Sequence, residues 1–228
     1  MAEPVPRPTS LAAFVYQSLV ERIATGAAPA GERLVIDRIA NQLRVSLIPV
    51  REALARLSAE GLVEYQLNRG YRVTAAPLAR DYRELFMARL VVEFGAARQA
   101  VVPLPRETLQ RLRALNEEIG QLKPGKTFKG YKRFIELNDR FHTELVGLAH
   151  NKTLSELHEK LAYGSRTARD LQGRGVPDLA ENFREHESIV KALERQDVES
   201  AAAAVERHIL AGMTRFLRDI ERVRTRKS

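Results

Sequence analysis

Five histidines stand in the sequence, at His142, His150, His158, His186 and His208, and three of them are placed to act together. Asn138 and His142 are four residues apart, which puts them on one face of a helix. His186 and His208 fall in two further helical patterns, within Glu185-His186-Glu187-Ser188-Ile189-Val190 and Val205-Glu206-Arg207-His208-Ile209-Leu210. Imidazoles from three helices of a bundle can converge on one divalent cation, with solvent or a ligand completing the shell. A helical histidine is more often a surface or hydrogen-bonded residue, so spacing alone leaves both readings open. His150 and His158 lie near a helix junction without a paired pattern and are read as surface residues.

A second set of residues could hold an anion. Arg89 and Glu93 form an i,i+4 pair, whose default is a solvated ion pair on a helix surface. The other reading puts Arg89 beside a cavity, where its guanidinium would meet an anion. Nearer the N-terminus, Arg51 follows Ser46-Leu47-Ile48-Pro49-Val50 at the start of a short helical pattern. Its guanidinium could bond a guanine edge or a phosphate, with Arg69 and Arg72 reaching the backbone or minor groove from a following hairpin.

The elements that must carry these groups follow from periodicity. Residues 1–10 contain three prolines and read as a flexible leader ending in a candidate N-cap, Ser10. Leu11, Phe14, Val15, Leu19 and Ile23 recur at helical spacing, and two short helical patterns follow around Ile36–Leu43 and Ile48–Glu60. Ile39, Ala40 and Leu43 can face a core from the first of these, and Val50, Leu54 and Leu57 from the second. Pro49 falls in a first turn, where its missing N–H costs little. Gly61 suits a helix C-cap. The runs Leu62–Tyr65 and Tyr71–Val73 then read as a hairpin, with Asn68 and Gly70 available for the turn. Beyond Pro77 only helical patterns remain, near 79–101, 105–122, 127–149, 151–171, 178–195 and 198–223, and loops this short favour an antiparallel bundle. In the first of them Met87, Leu90, Val91 and Phe94 supply an apolar stripe.

The fold class is therefore mainly α: a winged helix-turn-helix over 11–75 and an all-α antiparallel bundle over 79–228. Of the 228 residues, 44% are hydrophobic, ample for a core, and the formal net charge is +8. The absence of cysteine excludes disulfides, thiolate catalysis and Cys-based zinc sites. No apolar run approaches a bilayer span, so no membrane is expected as a partner and the cytoplasm is the expected location. Residues 1–75 hold nine arginines against seven acidic residues, a net of only +2. A nucleic-acid argument must therefore rest on placed residues rather than bulk charge.

Ordered motifs add a resemblance. Pro29, Gly31, Leu34, Ile39-Ala40 and Val45-Ser46 lead into Pro49-Val50-Arg51-Glu52-Ala53-Leu54, Leu57, Glu60-Gly61-Leu62-Val63 and Arg69-Gly70-Tyr71-Arg72-Val73. This segment resembles the winged helix-turn-helix of GntR-type bacterial transcription regulators. The resemblance implies DNA contacts at Ser46, Leu47, Ile48, Pro49, Arg51, Arg69 and Arg72. It departs at Leu47-Ile48, where the family usually has Arg-Thr; these two could instead touch thymine methyls. Residues 79–223 resemble the FCD ligand-binding domain of the FadR branch, through Arg89 to Glu93, Asn138–Leu145 with Asn151, Glu185-His186, Ile189, Ala192-Leu193, Asp197, Ala201 and His208-Ile209. That resemblance implies metal ligands at Asn138, His142, His186 and His208, with Asn138 where Asp is common. Zinc is the expected ion, nickel or manganese the alternatives. It also implies a small carboxylate effector at Arg89 and a homodimer that binds double-stranded operator DNA as a ligand-responsive regulator, in the first instance a repressor. The rival classes are a metal-dependent enzyme using the His cluster and a winged protein-interaction module with a structural metal. No positioned base or nucleophile accompanies the cluster, so an enzyme is not expected.

Overall fold

The computed structural model describes residues 10–123, 128–172 and 178–226. The expected leader lies outside these apart from Ser10, as do the side chains of the basic tail Arg222–Lys227. The chain divides into two compact units at Ala76–Pro77.

The N-terminal unit runs α1 (Leu11–Ala24), β1 (Arg33–Leu34), α2 (Ile36–Leu43), α3 (Leu47–Ala59), β2 (Val63–Gln66) and β3 (Gly70–Val73). Ser10 Oγ accepts from Ala13 N and caps α1. Val15, Leu19 and Ile23 from α1 are buried with Ile39 and Ala40 of α2 and Val50, Leu54 and Leu57 of α3. The i, i+4, i+7 pattern of α3 is thus its packing face. Gly61 adopts φ +73 just past α3, a conformation that costs a glycine little. The sheet is antiparallel in the order β1-β3-β2, with Tyr65 opposite Tyr71 and Leu34 also opposite Tyr71. Asn68 (φ +62) and Gly70 (φ +77) turn the β2–β3 hairpin. β1 is an addition to the sequence reading: two residues long, it owes its strand conformation to pairing with β3.

The second unit is helical: α4 (Ala79–Arg98), α5 (Arg106–Gln121), α6 (Phe128–Gly147), α7 (Lys152–Gln172), α8 (Leu179–Glu194) and α9 (Val198–Arg226). α4 packs on α9 and α6, and α5 on α6 and α8, around Leu112, Ile119, Phe134, Leu137, Phe141, Leu145, Ile189 and Val205. Asp81 Oδ2 accepts from Leu78 N at the start of α4.

α4 corrects the expected stripe. Its buried residues are Tyr82, Phe86, Arg89, Glu93, Ala96 and Ala97, whereas Met87 is 43% and Val91 71% exposed. Leu90 and Phe94 of the stripe are partly buried against the core, while Met87 and Val91 yield the interior to a charged pair on the inward face. Among the described residues no helix is long and apolar enough to cross a membrane.

Candidate functional site

α6, α8 and α9 bring His142, His186 and His208 together, and their ligand atoms lie within 4.8 Å of one another. All three side chains are buried. His142 Nε2 and His208 Nε2 stand 3.2 Å apart. Each ring is held from behind by a carboxylate: His142 Nδ1 lies 2.7 Å from Glu93 Oε2, and His208 Nδ1 donates to Glu185 Oε2 at 2.8 Å. The first contact is short but poorly aligned for a hydrogen bond. Carboxylates in these positions favour the proton on Nδ1 and leave the Nε2 lone pair forward. Two facing lone pairs repel unless a cation lies between them.

His186 makes the same point differently. Its ring stacks on Phe141 with centroids 4.0 Å apart, and neither ring nitrogen has a hydrogen-bond partner. A buried orphan imidazole is costly unless something outside the protein satisfies it. Nitrogens sharing one ion at about 2.1 Å stand about 3.0–3.4 Å apart, which the His142–His208 spacing matches. The donor set therefore fits a first-row divalent ion. Asn138 is buried one helical turn before His142 on α6, while Asp139 is no part of the ligand cluster.

Three residues behave differently from their default sequence reading. Arg89 and Glu93 are not a solvated pair: they are 5% and 0% exposed, with Arg89 Nε donating to Glu93 Oε1 at 2.8 Å. His158 is not a surface residue either. It is 2% exposed, and its Nε2 lies 3.6 Å from Glu93 Oε1, too far for a hydrogen bond. Glu93 is thus the hub of a buried cluster with Arg89, His142 and His158. His150, by contrast, is exposed at the end of α6.

Sequence reasoning missed Glu185 and Arg215 as well. Glu185 orients His208 while Arg215 Nη1 and Nη2 donate to its two oxygens at 2.6 and 2.8 Å. These partners sit on α8 and α9, and no spacing within one helix could have announced them.

Electrostatics follow the burial. Desolvation alone would raise the Glu93 carboxyl, but Arg89, His142 and His158 together hold it well below the usual carboxylate range. Burial would likewise raise Glu185, yet His208 and Arg215 bring it down to about 2. Burial pushes His142 down to about 4 against the opposing pull of Glu93, and lowers His158, His186 and His208 as well. All four are neutral at pH 7, as metal ligation requires.

The sign of the pH effect on the metal-free protein follows. Between the ordinary histidine value of 6.5 and the folded value of about 4, the unfolded chain binds the proton and the folded chain does not. Stability from His142 is therefore full above about pH 6.5 and lost as pH falls toward about 4. The carboxylates, whose folded values are depressed from 4.5, withdraw their contribution only below that value. Urea midpoints of chelator-treated protein should fall between about pH 7 and about pH 5. A flat midpoint across that window would contradict neutral buried imidazoles.

In the N-terminal unit, α3 exposes Ser46, Leu47, Ile48, Arg51 and Glu52 near its N-terminal end. Ser46 occupies the N-cap position with an extended backbone but makes no side-chain capping bond. Pro49, which the resemblance counts among the DNA contacts, is buried in the first turn of α3. Arg69 is exposed beside the hairpin turn. Arg72 is half-buried, and its Nη1 donates to the Gly31 carbonyl at 3.0 Å, so part of its hydrogen-bonding capacity fixes β3 to the preceding loop.

Comparison with known proteins agrees with both units. Residues 11–73 match the family described as "Bacterial regulatory proteins, gntR family", and residues 84–211 match the FCD domain. The Nta operon transcriptional regulator of Aminobacter aminovorans is 32% identical over 186 residues, covering 78% of this chain and 81% of that protein. The "Probable D-xylose utilization operon transcriptional repressor" of Paenarthrobacter nicotinovorans is 31% identical, covering 89% and 87%. Among solved structures, E. coli McbR/YncC shares the fold with a TM-score of 0.65 at 24% identity, over 93% of this chain and 99% of that one. The first two are named as transcriptional regulators, and none of the three is named as an enzyme.

Proposed function

The chain belongs to the gntR family of bacterial regulatory proteins and carries an FCD domain, and from that premise we propose that it is a metal-containing, effector-controlled repressor. DNA-binding transcription regulation is what the family does; the metal, the effector and the sign of control are the proposal. One observation carries it: two carboxylate-backed imidazoles face each other at 3.2 Å beside a third whose nitrogens have no partner.

His142, His186 and His208 would hold a divalent ion, zinc first, with Asn138 beside them as an amide donor. When bound, that ion supplies an electrophilic centre for an anionic ligand. Arg89 uses Nε toward Glu93, which leaves its Nη donors for the carboxylate of a small organic acid. Effector binding would shift the population of bundle arrangements and so the placement of the DNA-binding units. Residues 11–75 act as the DNA-binding domain, and 79–228 as the effector and dimerisation domain of a cytoplasmic homodimer. Two copies of α3 would then read two half-sites of a near-palindromic operator. A repressor is the reading favoured by the name of one relative.

The test pairs metal analysis of purified protein with mobility shifts on the DNA upstream of its own gene, repeated with a panel of carboxylic acids. We expect about one divalent ion per chain, and at least one acid that weakens DNA binding by about 5- to 150-fold. Negligible metal in both the wild type and a His186→Ala/His208→Ala variant would remove the metal reading. For α3, Arg51→Ala should weaken operator binding about 5- to 150-fold with an unchanged melting temperature. Equal affinity would take Arg51 out of the interface.

A further inference from the structure

α3 opens on two exposed aliphatic side chains, Leu47 (39%) and Ile48 (67%), before its first cation, Arg51. Aliphatics can meet thymine methyls, but they give no hold on phosphate, and phosphate contacts are what fix register on a duplex. The cations of this unit are few and several are committed. Arg22 pairs with Glu32, Arg56 with Glu60, and Arg72 bonds the Gly31 carbonyl. Arg33, Arg38, Arg44, Arg51 and Arg69 have no ion pair among the described residues.

Arg44 differs from the others in its backbone. It ends α2 at φ +53, ψ +45, in the left-handed region. Val45 N donates to Ala40 O at 3.0 Å across it, closing the helix in the turn that usually takes glycine. A long charged side chain is an uneconomical choice there for folding alone, since glycine fills the position without strain. Elsewhere a residue in the same conformation has a visible structural use: Gln196 Oε1 accepts from Leu104 N at 2.7 Å. Arg44 is exposed, with no side-chain hydrogen bond among the described residues. It stands three residues before Leu47, within about 11 Å along the chain. In a helix-turn-helix the helix before the recognition helix crosses the phosphate backbone while the recognition helix enters the major groove. The turn joining the two lies at the groove edge.

We propose that Arg44 is a DNA-phosphate anchor of this chain, supplying from the inter-helix turn the cation that the first turn of α3 lacks. The inference rests on the DNA-binding role of α3. Because a phosphate contact is sequence-independent, its test needs no knowledge of the operator.

The experiment measures binding of the full chain to a random-sequence duplex of about 30 base pairs, from about 50 to about 200 mM salt. It compares wild type, Arg44→Gly, Arg44→Lys and Arg51→Ala, with melting temperature read in parallel. Arg44→Gly should bind about fivefold more weakly per engaged chain near 0.15 M salt, with a log–log salt slope shallower by about 1. Its melting temperature should be equal or higher, so lost binding cannot be lost folding. Arg44→Lys should keep most of the affinity and the slope. Wild-type affinity and slope in Arg44→Gly, with the wild-type chain binding the duplex, would overturn the anchor and leave the role of α3 standing, whatever Arg51→Ala does on this sequence-independent probe. Arg44→Lys as weak as Arg44→Gly would overturn it too, because charge would then not be what matters. A wild-type chain that binds no DNA at any of these salts would bring down both.

Discussion

Glu93→Ala is expected to destabilise the helical unit by about 3–5 kcal/mol, the range for removing one partner of a buried ion pair. The magnitude follows from what is left behind. Arg89 is 5% exposed, and its nearest counter-charge is the carboxylate 2.8 Å away. Without it a guanidinium remains in a nearly dry site, and two neutral imidazoles lose the acid that neighbours them. For a unit of this size the loss corresponds to a fall of about 6–20 °C in melting temperature. Arg89→Met/Glu93→Ala should recover much of it, because the uncompensated charge goes too. Urea or thermal unfolding of the three proteins decides the matter: a single variant within about 1 kcal/mol of wild type would show that the pair is solvated after all.

Stripping the proposed metal should have an effect of similar size. An ion present at about 1,000 times its dissociation constant stabilises the folded state by about 4 kcal/mol. Chelator treatment of the metal-loaded protein should then lower the melting temperature by about 8–16 °C, and added zinc should restore it. In His142→Ala/His208→Ala neither addition should move the transition. The variant also separates ligation from packing: if chelator still lowers its melting temperature by the full amount, the stabilising ion binds elsewhere.

These expectations draw on residues of very uneven legibility. The core of α3 was plain in the sequence, because Val50, Leu54 and Leu57 repeat at helical spacing and nothing from outside the helix competes with them. The hairpin was plain because Asn68 and Gly70 are residues that tolerate positive φ, which the turn demands. The three clustered histidines were visible as candidates, but only the fold brings them within reach of each other. β1 was hidden, since two residues cannot show a period and its pairing partner lies almost forty residues on. α4 was legible at Leu90 and Phe94, which pack on the core, and misread at Met87 and Val91 for a physical reason: periodicity weighs apolar side chains, and here a salt-bridged pair outranks those two for the interior. His158 was hidden in the same way, since only Glu93, from another helix, gives an imidazole reason to be inside. Glu185 and Arg215 are long-range partners whose roles exist only once α8 lies against α9.

In the middle of α4, then, polarity and depth are decoupled: Arg89 and Glu93 are inside and Val91 is at the surface. Tolerance to substitution should be inverted over this stretch, with lysine accepted at position 91 and leucine a disturbance at 93. A buried ion pair can often be exchanged wholesale for apolar residues of matching volume with little loss of stability. On the proposed function, such an Arg89→Met/Glu93→Leu protein would fold as well as the parent chain and yet no longer respond to an anion, with His142 unbacked and no guanidinium beside it.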